Sequence, residues 1–457
     1  MIFYGIFYCA FLKDLSWEKA VCLLFKVQKR LFKVTYLLDK KNYKNYKLIL
    51  ESNCARLLAI RDVTQLSSYK NMPGVDGHVT LSFSERYQLN EYLKANWNNW
   101  KTQSLKKVLI FDYEKNTIFK KVSTISDRAW QNLIKFSIEP VHEAKFHPAN
   151  FGYRFNNSIY KVQDIILLNL SKDSFGKKKK ILKIDLSKNV SFFDYSYLIK
   201  NLIAPRSIKL GIFRLLEKGF NLEFPEEHLL NSTLSSLLLN VLLNGIESFH
   251  NCIRYGYFIL YFLKPLDDEK LLLNQISSFI FKRGLKIENS QLTLFSVLKS
   301  FDFLGWNFKF SEKSSVGLYS FPNFKNYQAF LKRVKRIINN SNYGSIVKAS
   351  KLYPIIREWK EYHRYSDLLN LSHSLFFIKK RAFKSFNSES KQDFYSSKRL
   401  LIKSFLVSSS FSQQIKRYKL GFNNSVGFGH LTFLFEHISF SNKKKFCFCV
   451  HCGMTCL

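Results

Sequence analysis

Acidic residues are scarce in this sequence of 457 residues, where 34 Asp and Glu stand against 71 Lys and Arg, giving a formal charge of +37. A chain this basic is expected to bind a polyanion, because neutralising phosphates releases the counterions condensed on them. The positive excess runs along the whole chain rather than in one tail. That distribution favours a nucleic-acid partner over a merely soluble basic protein.

Glycine and proline are also few, at 17 and 8, beside 45 Phe and 24 Tyr. This usage favours amino acids with A/T-rich codons and indicates an organellar or other AT-rich genome. The hydrophobic content of 46% places the chain among globular proteins, and its length allows about two to four domains.

No long hydrophobic run is present. The apolar start MIFYGIFYCAFL stops at Lys13, which is too short for a membrane span, and it lacks the features of a secretory or transit peptide. We expect a buried N-terminal segment, with a membrane anchor as the lesser alternative. Four of the eight cysteines are scattered, which predicts a reducing compartment rather than a disulfide framework; they are Cys9, Cys22, Cys54 and Cys252.

The periodicity predicts both helices and strands. Apolar residues at helical spacing predict a helical region over 16–42, and a further helix begins near Asp127. Two β-rich runs around a polar turn predict a hairpin over 106–122, and a short strand follows the basic stretch at 177–187. The leucine-rich segment 234–246 is apolar nearly all round and predicts a buried helix.

A small basic helical module is predicted after residue 325. Residues 325–384 contain 14 Lys or Arg and 3 Asp or Glu, a local charge of +11. At helical spacing one face is apolar (Phe330, Leu331, Val334, Ile337, Ile338) and the other basic (Lys332, Arg333, Lys335, Arg336). A second helix is expected to open at Pro354, since proline suits the first position of a helix.

Several segments follow one another in a known order. They are ARLLAIRDVT (55–64), NMPGVDG (71–77), residues 124–154, KIDLS (183–187), RYGYF (254–258), KRGLKIENSQ (282–291), FDFLGWNFKF (301–310) and YPIIREWKEYHRY (353–365). Together they resemble the group II intron-encoded reverse transcriptase/maturase family, in a degenerate plastid type. The resemblance spans nearly the whole chain.

The resemblance implies an α+β fold with reverse-transcriptase-like fingers and palm and a helical thumb, also called the maturase X domain. It implies four regions, which are an N-terminal helical extension (1–65), a degenerate fingers/palm domain (66–312), a thumb (325–405) and a C-terminal tail with a cysteine cluster (406–457).

The polymerase site of the family is incomplete in this sequence. Polymerisation by this fold needs carboxylates that hold two Mg²⁺ ions. By resemblance, Asp185 stands at the first aspartate position, but the other two positions are Tyr257 and Phe258, which cannot bind a hard cation. We therefore interpret Asp185 as vestigial and predict that the protein is not an enzyme, with a residual RNA-directed DNA polymerase or intron mobility enzyme as the alternative.

Three regions that contact intron RNA in the family keep their basic character. The implied RNA-binding residues are Lys26, Lys29, Arg30, Lys33, Arg56, Arg61, Lys70, Arg333, Arg336, Arg357, Trp359, Arg364, Lys379, Lys380 and Arg381. Cations on a helix face bind phosphates, while Trp359, Tyr362 and Tyr365 are candidates for stacking on unpaired bases. For these aromatics, and for Trp359 above all, packing in the thumb core is the competing interpretation. Any single cation has solvated surface as its competing role.

The C-terminal segment FCFCVHCGMTCL gathers Cys447, Cys449, Cys452 and Cys456 within ten residues. Four thiolates could hold Zn²⁺, although their spacing is cramped for a structural site, and a tail of free thiols is the alternative. The Cys-x-x-Cys-Gly portion also resembles the first half of an HNH-type endonuclease, but no His-rich second half follows it.

The sequence thus predicts a splicing cofactor whose partner is intron RNA, and other splicing proteins are possible further partners. Mg²⁺ would be bound by the RNA rather than by the protein, and neither a membrane nor a small-molecule substrate is expected. The resemblance and the codon usage favour the chloroplast, with the mitochondrion as the alternative location.

Overall fold

The computed structural model describes residues 17–38, 43–67, 70–111, 117–154, 159–171, 176–187, 193–220, 222, 233–285, 291–310, 318–368, 371–389, 393–405, 447–448 and 455–456. The first sixteen residues, including the apolar start, lie outside this part of the chain, as does most of the tail. Within it the α-helices are α1 (Trp17–Leu38), α2 (Tyr43–Leu50), α3 (Asn53–Arg61), α4 (Phe83–Asn96), α5 (Ile125–Glu143), α6 (Ile159–Asn169), α7 (Tyr195–Asn201), α8 (Arg206–Glu217), α9 (Leu234–Leu243), α10 (Glu269–Phe281), α11 (Phe324–Ile338), α12 (Ser345–Tyr362), α13 (Ser372–Glu389) and α14 (Phe394–Phe405).

The strands are all paired antiparallel. They are β1 (Lys106–Phe111), β2 (Thr117–Val122), β3 (Lys180–Asp185), β4 (Cys252–Tyr255), β5 (Phe258–Leu263), β6 (Leu292–Ser296), β7 (Phe301–Phe303), β8 (Trp306–Phe310), β9 (Leu318–Pro322), β10 (Cys447–Phe448) and β11 (Thr455–Cys456). A central sheet has the order β4-β5-β3-β6 and a smaller one the order β7-β8-β9, while β1-β2 and β10-β11 form separate pairs. Helices combined with antiparallel sheets make this an α+β protein, as predicted.

The N-terminal helices share one hydrophobic core with the region that follows them. This core extends from Leu31 on α1 to Leu285 after α10, and it includes Trp130 in the middle of α5. The predicted division at residue 65 therefore falls within a continuous core. No break in the packing marks residue 65 in the described part of the chain, and the division stays a prediction that follows from the family resemblance.

The structure confirms two predictions for the middle region, which are the β1-β2 hairpin and the buried helix α9. Strands β1 and β2 pair in register from Lys106 opposite Val122 to Phe111 opposite Thr117, although the polar turn between them lies outside the described residues. Every residue of α9 is buried, because α9 packs in the main core with helices such as α5 and α7. A helix with no solvent face has no need of polar residues on any side.

The C-terminal helices α11 to α14 have a core of their own. Tyr327, Phe330, Leu331, Val334 and Ile338 of α11 are buried in it, which confirms the predicted amphipathic helix, while Ile337 is half-buried. The basic residues opposite them are exposed, so the helix is held by its apolar face.

The prediction that a helix opens at Pro354 is wrong. Helix α12 begins at Ser345, and Pro354 lies inside it. Proline removes the backbone bond to Ser350, four residues earlier, but both residues are exposed, so water can satisfy the carbonyl. Buried Leu352 and Ile356 on the opposite face keep the helix continuous through packing.

Aromatic contacts join α12 to the smaller sheet. The ring of Tyr362 stacks on Trp306 of β8 with centroids 5.0 Å apart, and its hydroxyl donates to the Leu304 carbonyl at 2.5 Å. On α6, the Gln163 amide donates to the Ser320 hydroxyl of β9 at 2.6 Å. The contacts of Tyr362 thus fix α12 against the smaller sheet, and the bond of Gln163 ties α6 to the same sheet.

None of the helices in the described ranges has the length and apolar character that crossing a bilayer requires.

Candidate nucleic-acid interface

The hairpin between β4 and β5 brings Tyr257 and Phe258 close to Asp185 of β3. Tyr255 pairs with Phe258 across a two-residue turn, in which Gly256 has a φ of 65° that glycine adopts without steric cost. On the next strand Asp185 pairs with Phe258. Asp185, Tyr257 and Phe258 therefore lie together at one end of the central sheet.

Buried ion pairs hold the chain that surrounds this hairpin. Arg254 of β4 donates through Nε to Glu247 at 2.5 Å, and both side chains are fully buried. Arg154 forms a second buried pair with Glu143, using Nε and Nη2. The backbone of Phe151 donates to the Arg254 carbonyl at 2.8 Å. Residues 149–151 are thus docked along β4.

Glycine at position 152 is required by this docking. A Cβ there would lie 2.1 Å from the backbone nitrogen of Gly256, a separation that no side chain can reach without moving the turn. The Asn240 side chain further ties the two segments, donating to the Gly152 carbonyl at 2.8 Å and accepting from Arg254. The turn is therefore positioned by backbone packing as well as by ion pairs.

The hairpin end is aromatic rather than anionic. The rings of Tyr257 and Phe258 meet at 4.8 Å, and Phe258 faces Phe303 of β7 at 6.5 Å. Tyr153 lies 5.5 Å from the ring of Tyr255, and burial raises the pKa of both tyrosines well above the usual range. These phenols are neutral at physiological pH and provide no anionic ligand.

Asp185 is the last residue of strand β3, and its side chain takes part in a local hydrogen bond. Its Oδ1 accepts a hydrogen bond from the backbone of Ser187 at 2.9 Å, as a short polar side chain at a strand end commonly does. Among the described residues no group of three His, Cys, Asp or Glu side chains has the arrangement of a metal site.

The basic residues of α1 lie largely on one exposed face. Lys26, Arg30 and Lys33 are exposed, and Lys29 beside them is half-buried. Lys26, Arg30 and Lys33 are spaced four and three residues apart, which brings them onto the same side of the helix. The opposite side packs on α3 and α5.

The cations predicted after α1 differ in their surroundings. Arg56 is 3% exposed, and its guanidinium donates to Asn90 Oδ1 at 3.1 Å and to the Glu51 carbonyl at 2.7 Å. Arg61 is half-buried with its guanidinium 4.5 Å from the ring centre of Trp17. Only Lys70 is exposed, and it donates to the Gln65 carbonyl. The structure places Arg56 in a stabilising role inside the protein.

Helix α11 presents a basic face in which Arg333 and Arg336 are exposed. Lys332 and Lys335 are exposed between and beside them. Because the apolar side of α11 is buried, these side chains project from a rigid element rather than from a loop. They are the most regular group of cations among the predicted residues.

Helix α12 contributes a mixture of buried and exposed groups. Trp359 is 9% exposed, and its ring stacks on Phe330 with centroids 4.5 Å apart. Trp359 is therefore packed in the core of the C-terminal helices, which the sequence analysis gave as the alternative to base stacking. Arg357 is half-buried, and Arg364, just beyond the helix, is exposed with its guanidinium 4.0 Å from the ring centre of Tyr160. Lys360 donates to the Phe405 carbonyl at 2.6 Å, and burial, with Lys379 nearby, lowers the Lys360 pKa to about 8.

Helix α13 carries the last predicted cations. Lys380 and Arg381 are exposed and Lys379 is half-buried. The sequence analysis assigned Lys332 and Lys335 to the basic face of α11, but it did not name four further exposed cations on α12, α13 and α14, which are Lys351, Lys384, Lys398 and Arg399. Their helical spacing relative to buried positions was the available signal.

The cysteine cluster is described only in part. Cys447 and Cys456 are backbone partners in the β10-β11 pair, whereas Cys449 and Cys452 lie outside the described residues. The zinc site remains a prediction.

Comparison with known proteins defines the class. A family model described as the N-terminal domain of reverse transcriptase matches residues 13–93, which include α1 to α3 and most of α4. Over 458 aligned residues the chain is 64% identical to Maturase-like protein 1 of Euglena gracilis, covering 100% of both chains. It is 57% identical over 449 residues to Maturase-like protein 1 of Euglena longa, covering 98% of both. The chain belongs to this reverse-transcriptase-related maturase family, which confirms the resemblance.

Proposed function

We propose that this protein is a non-polymerising maturase, an RNA-binding splicing cofactor that stabilises the folded form of a group II-type intron and so promotes its self-splicing. The names of its two Euglena relatives support a maturase role. The chemistry belongs to the RNA, together with the Mg²⁺ ions that the RNA binds. A protein that binds the active RNA conformation more tightly than the others shifts the population toward it without any catalytic side chain.

The basic face of α11 is the observation that carries this proposal. Four exposed cations on one helix, backed by a packed core, form a fixed array that matches the repeated phosphates of an RNA backbone. The exposed cations of α1 add a second array. Two separated arrays favour a large, structured RNA over a short strand, because only a folded RNA can engage both.

The loss of polymerase activity is part of the proposal. It is supported by the pairing of Asp185 with Phe258 and by the two aromatic rings at the hairpin, since one carboxylate cannot hold two Mg²⁺ ions. In this assignment the central sheet is a degenerate palm, the β1-β2 hairpin belongs to the fingers, and α11 to α14 are the thumb.

Two further parts of the proposal concern location and partners. We place the protein in the chloroplast, supported by the codon usage and the plastid character of the resemblance. Other splicing proteins would join it on the intron. Chloroplasts and mitochondria are separated by fractionation, and an antibody to the chain then shows which fraction contains the protein. Detection in the mitochondrial fraction alone would contradict the proposed location.

A splicing assay tests the function. The intron that houses the reading frame is transcribed and incubated at limiting Mg²⁺ with or without purified protein, and the rate of intron release is measured. The proposal predicts faster release with the wild-type chain and loss of this gain when Lys332, Arg333, Lys335 and Arg336 are all changed to Gln. No acceleration at any Mg²⁺ concentration, with or without an organelle extract, would refute it.

Primer extension tests the enzymatic alternative, for which the retained Asp185 is the one supporting observation. The proposal predicts no DNA synthesis with any template and metal ion. Synthesis that Asp185→Ala abolishes would establish residual polymerase activity instead.

A further inference from the structure

Large aromatic rings are exposed on the last two helices described. On α13, Phe376 is 60% exposed and Phe377 is 53% exposed. On α14, Phe394 is 57% exposed and Tyr395 is 77% exposed. A contiguous group of exposed apolar rings marks an interaction site more often than a random surface.

The rings form one surface across both helices. Phe383 of α13 meets Phe394 of α14 with centroids 5.4 Å apart, so the two helices adjoin at this point. Phe376 precedes Phe383 by two helical turns and therefore lies on the same side of α13. Phe394 and Tyr395 continue the surface along α14, with centroids 5.9 Å apart.

Cations alternate with these rings. Lys380 follows Phe376 by one turn, and Lys398 follows Phe394 by one turn, and both are exposed. The Nζ of Lys398 lies 6.0 Å from the centre of the Phe394 ring. Lys384 and Arg399 are exposed on the same two helices. Phe376, Phe394 and Tyr395 are thus each followed by an exposed cation one helical turn later.

We propose that this aromatic and cationic surface of α13 and α14 binds unpaired nucleotides of RNA, with the bases stacked on Phe376, Phe394 and Tyr395 and the phosphates near the lysines. The inference rests on the proposed RNA-binding function and adds the kind of RNA element that this surface accepts. A purely apolar protein partner would gain nothing from the alternating cations. A duplex would satisfy the cations but has no free base faces for the rings.

The α11 face and the α13 and α14 surface differ in composition and therefore suit different parts of an RNA. The α11 face offers cations without exposed rings between them and suits the backbone of folded RNA. The α13 and α14 surface offers both and suits a loop, bulge or strand end, where bases are unstacked. The sequence had pointed instead to Trp359 and Tyr362 for stacking, and both are packed against other rings.

The test compares single-stranded and duplex RNA on the full chain. The double variant F376A/Y395A is measured against a short oligouridine strand and a blunt RNA duplex of equal charge. We expect about tenfold weaker binding of oligouridine for each ring removed and less than about twofold change for the duplex. The conservative variant F376Y/Y395F should keep the wild-type affinity, and Phe281→Ala, which removes an 80% exposed ring on α10, serves as the matched control.

Three outcomes would overturn the inference. They are unchanged oligouridine binding in F376A/Y395A, an equal loss for strand and duplex, or a loss of self-association with no change in RNA binding, which would make the surface a contact between copies. Intron binding that persists in F376A/Y395A with its salt dependence intact would leave the proposed function standing. A wild-type chain that binds no RNA at all would remove both.

Discussion

Asp185 and Phe258 are directly opposed on neighbouring strands of the central sheet, so a carboxylate and an aromatic residue occupy partner positions there. With Tyr257 in the adjacent turn, the hairpin has an aromatic end. The ring of Phe258 packs against the rings of Tyr257 and Phe303. The fold is thereby stabilised independently of any metal ion.

Introducing carboxylates at the hairpin should destabilise the protein. The variant Y257D/F258D would place three acidic groups at the hairpin and expose the apolar surface that the rings cover. We expect a loss of about 2 to 4 kcal/mol in the free energy of unfolding, measured in urea. Mg²⁺ should recover part of that loss by binding the new carboxylates. The isosteric control Y257F should unfold close to wild type, and an unaltered urea midpoint in Y257D/F258D would contradict the packing role assigned to the rings.

The buried pair of Arg254 and Glu247 should be costly to break. Glu247→Gln leaves the Arg254 guanidinium uncompensated in the core, which we expect to cost about 3 to 5 kcal/mol of unfolding free energy. The comparison is Glu51→Gln, which breaks the exposed Lys47 to Glu51 pair and should change stability by no more than about 1 kcal/mol. Equal effects of the two substitutions would show that the hairpin does not depend on its buried pair.

Stability should fall in acid because two histidines are buried in the neutral form. Burial, with Lys209 nearby, lowers the pKa of His142 to about 3, and burial alone does the same for His363. The unfolded chain binds these protons below its ordinary histidine pKa of 6.5, whereas the folded chain does not, so each contributes a loss of about 1.4 kcal/mol per pH unit between that value and about 3.

The Nε2 of His142 accepts from the Ile203 backbone at 3.1 Å, and a Gln oxygen can replace it. His142→Gln should therefore flatten the slope of stability against pH between 6 and 4. Denaturant midpoints at several pH values provide the measurement. A variant with the wild-type slope would mean that His142 becomes protonated without unfolding.

The basic face of α11 should govern salt dependence. We expect a variant in which Lys332, Arg333, Lys335 and Arg336 are changed to Gln to depend less steeply on salt. The slope of log affinity for intron RNA against log salt concentration should decrease in magnitude by about two to four. These side chains are exposed, so the melting temperature should be nearly unchanged. The matched control changes Lys264, Lys270, Lys282 and Lys299, four exposed lysines outside α11, and should flatten the slope less. Identical slopes for both sets would assign the affinity to general charge.

Local patterns predicted elements better than they predicted side-chain roles. The buried α9 and the amphipathic α11 followed from hydrophobic periodicity alone, because that period reflects which side faces the core. Pro354 was misleading because a proline on the exposed side of a helix costs only one backbone bond there, and packing outweighed it. Tertiary context, which a sequence pattern does not contain, decided this boundary.

The same limit applies to the candidate site. Arg56 has the residue type of a phosphate ligand, but its hydrogen bonds to Asn90 and Glu51 depend on how α3 and α4 pack. Asp127 marks the predicted start of a helix, and its carboxylate also accepts hydrogen bonds from the Trp100 indole at 2.7 Å and from the Gln103 backbone at 3.2 Å. These roles depend on contacts between residues that are distant in sequence, which the spacing of residues within one helix does not predict.

The measurement that bears most directly on the central claim is the affinity of the full chain for the intron that houses its reading frame, compared with an unrelated folded RNA of equal length over a salt series. The account predicts a steep salt dependence for both RNAs and a preference for the intron that persists at high salt, where general charge attraction is screened. Equal affinity for the two RNAs at every salt concentration would contradict it, because the charge of +37 would then give only general adhesion to RNA.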